Sequence, residues 1–438
     1  MSNSIPALNA LNFFMADVRD GLGPFLGVFL QEHGWSAGTI GVVMTIGGLA
    51  GMIATPLAGA LVDSTTAKRG LLMVSALMMT ASTLVVLFWP AFLVTAAAQI
   101  ASGIAGAAIG PAIAGTTLGL VRSSGFAHQL GRNEAFNHAG NAIAAILGGV
   151  AGYTLGLVAV FVLMCVMAVG SIVAALMIDP AHIDHDAARG LGGDEPVRSS
   201  GFGVIVKSVP LLVLAATLAL FHLGNAAMLP LLGQRAVAIG AGDASAFTAS
   251  TVIVAQVTMI PMALLAAQLA RTRGYWLVVL LALLALPLRG AVAGAIAADW
   301  ILLPVQVLDG VGAGLLGVAT PGLVARILAG TPHVNAGLGA VLAVQGVGAA
   351  LSTTVGGYVA EHVNYDAAFL VLGGIACIAL AIWLATATRM RTVCRQRGCT
   401  RDHRSRHADA AGRASARLRL AEGIRAGQGR LTDGQSDN

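Results

Sequence analysis

Long apolar runs separated by short polar stretches occupy residues 7–387. A hydrocarbon core about 30 Å thick takes about 20 helical residues per crossing. That length divides the runs into twelve spans: 7–31, 36–62, 70–89, 91–120, 135–156, 158–178, 204–232, 245–270, 275–296, 299–328, 334–359 and 366–387. The pattern predicts an all-α membrane protein of twelve transmembrane helices. The longest polar interruption, DPAHIDHDAARGLGGDEPVRSSGFG (179–203), is Gly-rich and mixed in charge, as a flexible connector between two six-helix halves would be. The expected division is an N-terminal bundle over 1–178, a central linker over 179–203, a C-terminal bundle over 204–387 and a tail over 388–438.

Composition fits this reading. Hydrophobic residues make up 57% of the 438 and charged residues 10%, against about 25% charged in soluble domains. So few charges cannot cover a globule, so lipid is the expected solvent. No basic residue precedes Arg19 and no small-residue cleavage site closes a short apolar run, so the first span is expected to be retained. From Arg389 onward the chain holds 12 basic and 5 acidic residues, a balance of +7, which leaves 13 and 15, or −2, for residues 1–388. The tail therefore reads as a disordered basic segment that touches anionic headgroups. With no aromatics interleaved among its arginines, no nucleic-acid partner is expected. Cys165 and Cys377 lie in apolar runs and Cys394 and Cys399 in the tail, which gives no disulfide framework.

Basic residues also orient the spans. Loops on the side of the N-terminus hold Lys68, Arg69, Arg122, Arg132, Arg189, Arg198, Lys207, Arg271, Arg273 and Arg326, and the opposite loops hold only Arg235. Both termini are expected to be cytoplasmic. The halves look related. At a constant offset of 207, Gln99, Gly103, Gly110, Ala112 and Gly115 match Gln306, Gly310, Gly317, Ala319 and Gly322. Duplicated halves joined by a central linker are the architecture of transporters that rock about a midplane site.

The segment GALVDSTTAKR (59–69), after the second span, resembles the loop 2–3 motif of the major facilitator superfamily: Gly59, three residues, Asp63, then the basic Lys68 and Arg69. Ser64 and Thr66 replace a basic residue and a glycine of the usual pattern. The resemblance covers roughly residues 7–387. It implies two pseudo-symmetric six-helix bundles, secondary transport without a cofactor, and a cytoplasmic gate latched by Gly59, Asp63, Lys68 and Arg69. Two patterns of the family's proton-coupled drug exporters are absent, since Gln99 stands in place of an arginine and Tyr153-Thr154 in place of Gly-Pro. Phrases such as ADVRDGLGPFLGVFLQ and FHLGNAAMLPLLGQ resemble a bacterial branch of the family whose substrate is undefined, which places the chain in a bacterial inner membrane.

Charges inside spans are expensive and default to functional readings. Asp17 and Asp20, at i and i+3, share a face of span 1. Asp309 follows Gln306 by three residues in span 10, and His222 precedes Asn225 by three in span 7. Asp17, Asp20, Asp309 and His222 are the candidates for proton or cation coupling. Arg19, Gln99, Asn141, Asn225, Gln256, Gln306 and Gln345 are the candidates for a substrate cavity lined by spans 1, 4, 5, 7, 8, 10 and 11. The alternative for each is bracing between helices. Asn137 is assigned to a helix interface, and Arg289 is the natural cationic partner for Asp309 if spans 9 and 10 pack. Neither HIDH (182–185) nor the Cys394–His407 stretch has convincing zinc spacing, and no phosphate loop, nucleophile elbow or H-E-x-x-H motif occurs. No metal, cofactor or enzymatic activity is expected. The expected protein is a monomeric secondary transporter, binding a small organic solute, a coupling proton or other ion, and membrane lipid. Proton-coupled efflux fits best. Uptake of a metabolite or metal chelate is the alternative, and a non-transporting receptor or assembly partner is the reading from another class.

Overall fold

The computed structural model describes residues 3–21, 26, 29–30, 33–35, 37–156, 158–191, 203–238, 244–296 and 301–394. Among these residues the regular structure is all helical. The first helix, α1 (Ser4–Ala16), widens into a π-helical turn over Asp17–Gly21. There follow α2 (Ala37–Ser64), α3 (Lys68–Phe88) and a 64-residue element, Phe92–Leu155. That element is about three times the length one crossing needs, and it breaks at Arg122 into α4 (92–121) and α5 (123–155). The series continues with α6 (Val158–Met177), α7 (Val209–Asn225, extended by Met228–Ala238), α8 (Ala244–Thr272) and α9 (Tyr275–Ala295). It ends with α10 (Leu302–Ile327), α11 (Val334–His362) and α12 (Tyr365–Ala385). Ten described elements are long and apolar enough to span a membrane. Counting the broken one twice and adding α1 gives twelve. A short C-terminal helix, Ala387–Cys394, is held by Arg391 stacking 4.0 Å over the Trp276 ring. The rest of the tail, with Cys399 and its histidines, lies outside the described residues.

The offset of 207 has a structural meaning. A Cβ on Gly103 of α4 would strike the backbone of α2 at Gly47, and one on Gly310 of α10 would strike α8 at Ala255 and Thr258. Seven residues on, Gly110 faces Leu342 of α11 and Gly317 faces Glu134 of α5. Adding six to each helix number, counted cyclically over twelve, maps α4–α2 onto α10–α8 and α4–α11 onto α10–α5.

The break at Arg122 replaces the polar loop expected between spans 4 and 5. Arg122 has φ 53° and ψ −176°, a region that glycine enters without the strain of about 1–3 kcal/mol that a side chain suffers. Its guanidinium meets Asp184 at 2.9 Å while 65% exposed, so the pair contributes at most about 1 kcal/mol. Arg122→Gly and Arg122→Ala both lose that pair, but only glycine relieves the backbone. Arg122→Gly is expected to be the more stable of the two by about 1 kcal/mol after glycine's entropic cost, measured by thermal unfolding in detergent.

The central linker departs from a flexible chain over its first part. Residues 180–182 and 185–188 form short helical turns, and Ile183, Ala187 and Ala188 are buried. Asp184 N–H donates to Gly119 O at 3.0 Å and Asp179 N–H to Ser4 Oγ at 3.3 Å. On the other half, Gly330 N–H donates to Gly190 O at 2.9 Å. The HIDH segment is thus part of a packed strap. Residues 192–202 lie outside the described residues.

Candidate functional site: a cavity at the seam between two helical halves

On the face that carries the basic loops, the halves meet tightly. Gly59 of α2 lies so close to α11 that a Cβ would overlap the backbone of Asn335 and Ala336. Just beyond, the Asp63 carboxylate caps the start of α11. It accepts from Ala336 N–H at 2.8 Å, Asn335 N–H at 3.2 Å and Asn335 Nδ2 at 2.8 Å, a favourable place for an anion at a helix N-terminus. Asn335 Nδ2 also donates to Ala188 O of the strap at 2.9 Å. Lys68 folds back to donate to Thr65 O at 2.7 Å, and Arg69 donates to Ile178 O at 2.9 Å just past α6. Of the four motif residues, Gly59 and Asp63 meet the second half, while Lys68 and Arg69 bond within the first. His185 in the strap has its pKa pushed down by burial first and by the Lys68 charge second. A second closure packs α5 on α8, where a Cβ on Gly131 would meet Ala263 O and Ala267.

Above this seal lies a cavity of about 270 Å³, walled by α1, α4, α5, α7, α10 and α11. Its apolar surface includes Ile113, Leu130, Phe221 and Leu316. On the N-terminal side, a chain of buried polar groups ties three helices together. Gln129 Nε2 donates to Asn9 Oδ1 at 2.7 Å and Asn133 Oδ1 at 2.9 Å, and Asn133 Nδ2 donates to Thr117 Oγ1 at 2.8 Å. Such a network, with its members satisfied, fixes the helices in one arrangement. On the C-terminal side, Arg289 is 1% exposed and donates from Nη1 to Asp309 Oδ1 at 2.7 Å and Asn225 Oδ1 at 2.6 Å. Asn225 Nδ2 donates to the same Asp309 oxygen at 3.2 Å. Sequence reasoning had offered Arg289 as the partner of Asp309, and α9 and α10 do pack so that they meet.

The candidate residues divide. Arg19, His222, Asn225 and Gln345 line the cavity. Asp309 stands behind Asn225, bound to it. Asp17 is buried at 5% exposure on the π turn, and the Asp20 side chain lies outside the described residues. Four cavity assignments are corrected. Gln99 turns its Cβ to Gly47, because α4 and α2 touch within one half. Gln256 is engaged by His138, its Oε1 lying 2.8 Å from Nδ1. Gln306 is fully enclosed among helices. Asn141 lies one turn beyond the lining, which ends at Asn137 of the same face, so the amide assigned to an interface is the one in the cavity. Among the described residues span 8 contributes no lining side chain, and at Gln256 its face meets α5.

Sequence reasoning missed Glu134, Asn133 and Asn12, all of them cavity-lining. Span 5 was begun at residue 135, which left Glu134 in a loop. With the break at Arg122, Glu134 is instead about three turns inside α5. Nothing in the sequence signalled this, since the stretch after 122, SSGFAHQLGRNE, is rich in Ser, Gly and Asn.

Comparison with known proteins agrees with the geometry. The family model described as Major Facilitator Superfamily matches residues 7–292. An uncharacterized MFS-type transporter of Mycobacterium tuberculosis, in strains CDC 1551/Oshkosh and H37Rv, is 40% identical over 382 residues, covering 86% of this chain and 91% of the relative. The crystal structure of the human organic anion transporter MFSD10 (TETRAN) is similar in fold, with a TM-score of 0.61 at 16% identity over 86% of this chain and 98% of that one. An all-helical body with ten candidate membrane spans among its described residues, a cavity at the seam of two related halves and these matches place the chain in the major facilitator superfamily, as a multi-pass membrane transport protein and not an enzyme.

Proposed function

We propose that the protein is a secondary active transporter that exports a small organic solute in exchange for protons, by rocking residues 1–178 against 204–387. The observation that carries this reading is the cavity between the halves, sealed on one face by Asp63 and Gly59 against α11. A site between two halves that is sealed on one face suits one of the two states that alternating access requires. The bias of basic residues to this face supports a cytoplasmic sealed face, with both termini on that side, in a bacterial inner membrane. The conformation is then closed to the cytoplasm, and the motif residues act as the cytoplasmic gate. A mainly apolar wall with Glu134 among its polar groups suits an amphiphilic or mildly cationic solute better than a sugar or a strong anion.

Proton coupling is assigned to Asp17 and Asp20 on the π turn and to Asp309 and His222 on the opposite wall. The test is flux in proteoliposomes loaded with a pH-sensitive dye, across a panel of amphiphilic cations and neutral solutes. Solute-dependent proton movement is expected in the wild type and is expected to fall at least tenfold in Asp17→Asn or Asp20→Asn. Solute flux with no proton movement, unchanged in both variants, would remove the acids of span 1 from the mechanism and leave a facilitator.

A further inference from the structure

The pair Glu134 and His138, one turn apart on α5, has no part in the proton coupling assigned above. Glu134 lines the cavity, its side chain 27% exposed, and His138 is buried beside it at 10%. His138 Nε2 lies 3.7 Å from Glu134 Oε2, within ion-pair range but beyond a hydrogen bond. Nδ1 faces Gln256 Oε1 of α8 at 2.8 Å, so with a carbonyl oxygen as acceptor Nδ1 carries the hydrogen. Nε2 is buried with no hydrogen-bond partner. It is the place for a second proton. Gly317 of α10 gives Glu134 its room, since a Cβ there would come within 3.1 Å of Oε2. One pair on the N-terminal half therefore touches two helices of the other half.

We propose that Glu134 and His138 form a proton-binding pair that couples protonation to closure of the basic face. A proton on Nε2 makes an imidazolium that faces the Glu134 carboxylate and donates a charge-assisted bond from Nδ1 to Gln256. Opening the seam between α5 and α8 breaks that bond. The proton is therefore held more tightly in the sealed state, and by reciprocity acid favours sealing. Among the described residues, the charged and titratable groups on the surrounding walls are Arg19 with buried Asp17 on the π turn, His222 on α7, and Asp309 with its partner Arg289 on α10 and α9. The facing side chains of α8 and α11 are the amides Gln256 and Gln345. Arg19 and a charged His222 oppose the extra positive charge, and Glu134 offsets it. The inference rests on the alternating-access reading.

The experiment measures the distance across the basic face in the full chain. Spin labels on Ser123→Cys and Thr272→Cys, both exposed at basic-face helix ends, are introduced after Cys165, Cys377, Cys394 and Cys399 are replaced by serine. Double electron–electron resonance in lipid nanodiscs is recorded across the range in which imidazoles ordinarily titrate, about pH 5 to 8. The short-distance share is expected to rise severalfold on acidification in this background and to be flat in Glu134→Gln, His138→Gln and Gln256→Ala. Three variants guard against one that misfolds. A parent distance indifferent to pH, or variants that titrate as the parent does, would overturn the proposal. Solute flux with a pH-indifferent distance would leave the transport reading standing without this pair. A pH-driven distance change with no flux for any solute would support the pair and count against transport.

Discussion

Asp309→Leu alone is expected to destabilise the protein by about 3–5 kcal/mol, whereas Arg289→Met combined with Asp309→Leu is expected to recover most of that loss. Among the described residues, Arg289 is the largest fully enclosed charged side chain, at 1% exposure, and Asp309 is the only carboxylate it pairs with. Removing the acid strands a guanidinium among α7, α9 and α10 with only Asn225 Oδ1 as acceptor. Removing both charges strands nothing and lets apolar side chains fill the volume. Thermal or denaturant unfolding of the four members of this cycle in detergent gives the coupling energy directly. The cycle also separates bracing from transport. If the double variant is as stable as wild type yet moves no protons with solute, Asp309 belongs to coupling. If it transports normally, the pair is a brace and coupling lies elsewhere, with Asp17, Asp20 or Glu134 and His138.

Asp63→Ala should have the next largest effect, on the balance between states more than on folding. The carboxylate accepts three hydrogen bonds from the first residues of α11. Bonds to a charged acceptor contribute about 1.5–3 kcal/mol each when buried, but water repays much of this once the face opens. A net loss of about 3 kcal/mol shifts sealed against open by roughly a hundredfold. Asp63→Asn, which keeps one carbonyl acceptor, should fall between. The Ser123–Thr272 label pair reads this as growth of a long-distance population at neutral pH. A short distance unchanged in Asp63→Ala would show that the glycine contacts at Gly59 and Gly131 hold the face closed without the latch.

Much of this fold was legible in the sequence because lipid leaves few choices. Span number followed from lengths of apolar runs, and the offset of 207 marked Gly103 and Gly310, whose equivalent contacts the fold shows. Asp63 and Lys68 were legible because a motif places them by spacing alone. The cavity was less so. Amides at i and i+4 show that two side chains share a face, but not which neighbour that face meets. Asn137 and Asn141 were therefore exchanged, and Gln99, Gln256 and Gln306 proved to face helices. Glu134 was lost to a boundary, because Arg122, Ser123 and Ser124 read as a loop. A polar stretch that stays helical on either side of one strained residue cannot be told from a loop by polarity alone.

The docked strap has a kinetic consequence. It is bound to the first half through Ser4, Gly119 and Arg122, and to the second through Gly330 and Asn335. When the basic face opens, the contacts to the second half part while those to the first remain. The strap then stays poised at a fixed spot, and its return is a unimolecular event at high effective concentration, not a search by a loose chain. Reclosing should accordingly be fast and insensitive to the length of chain beyond residue 191, so that insertions there are tolerated while cuts before it slow the cycle.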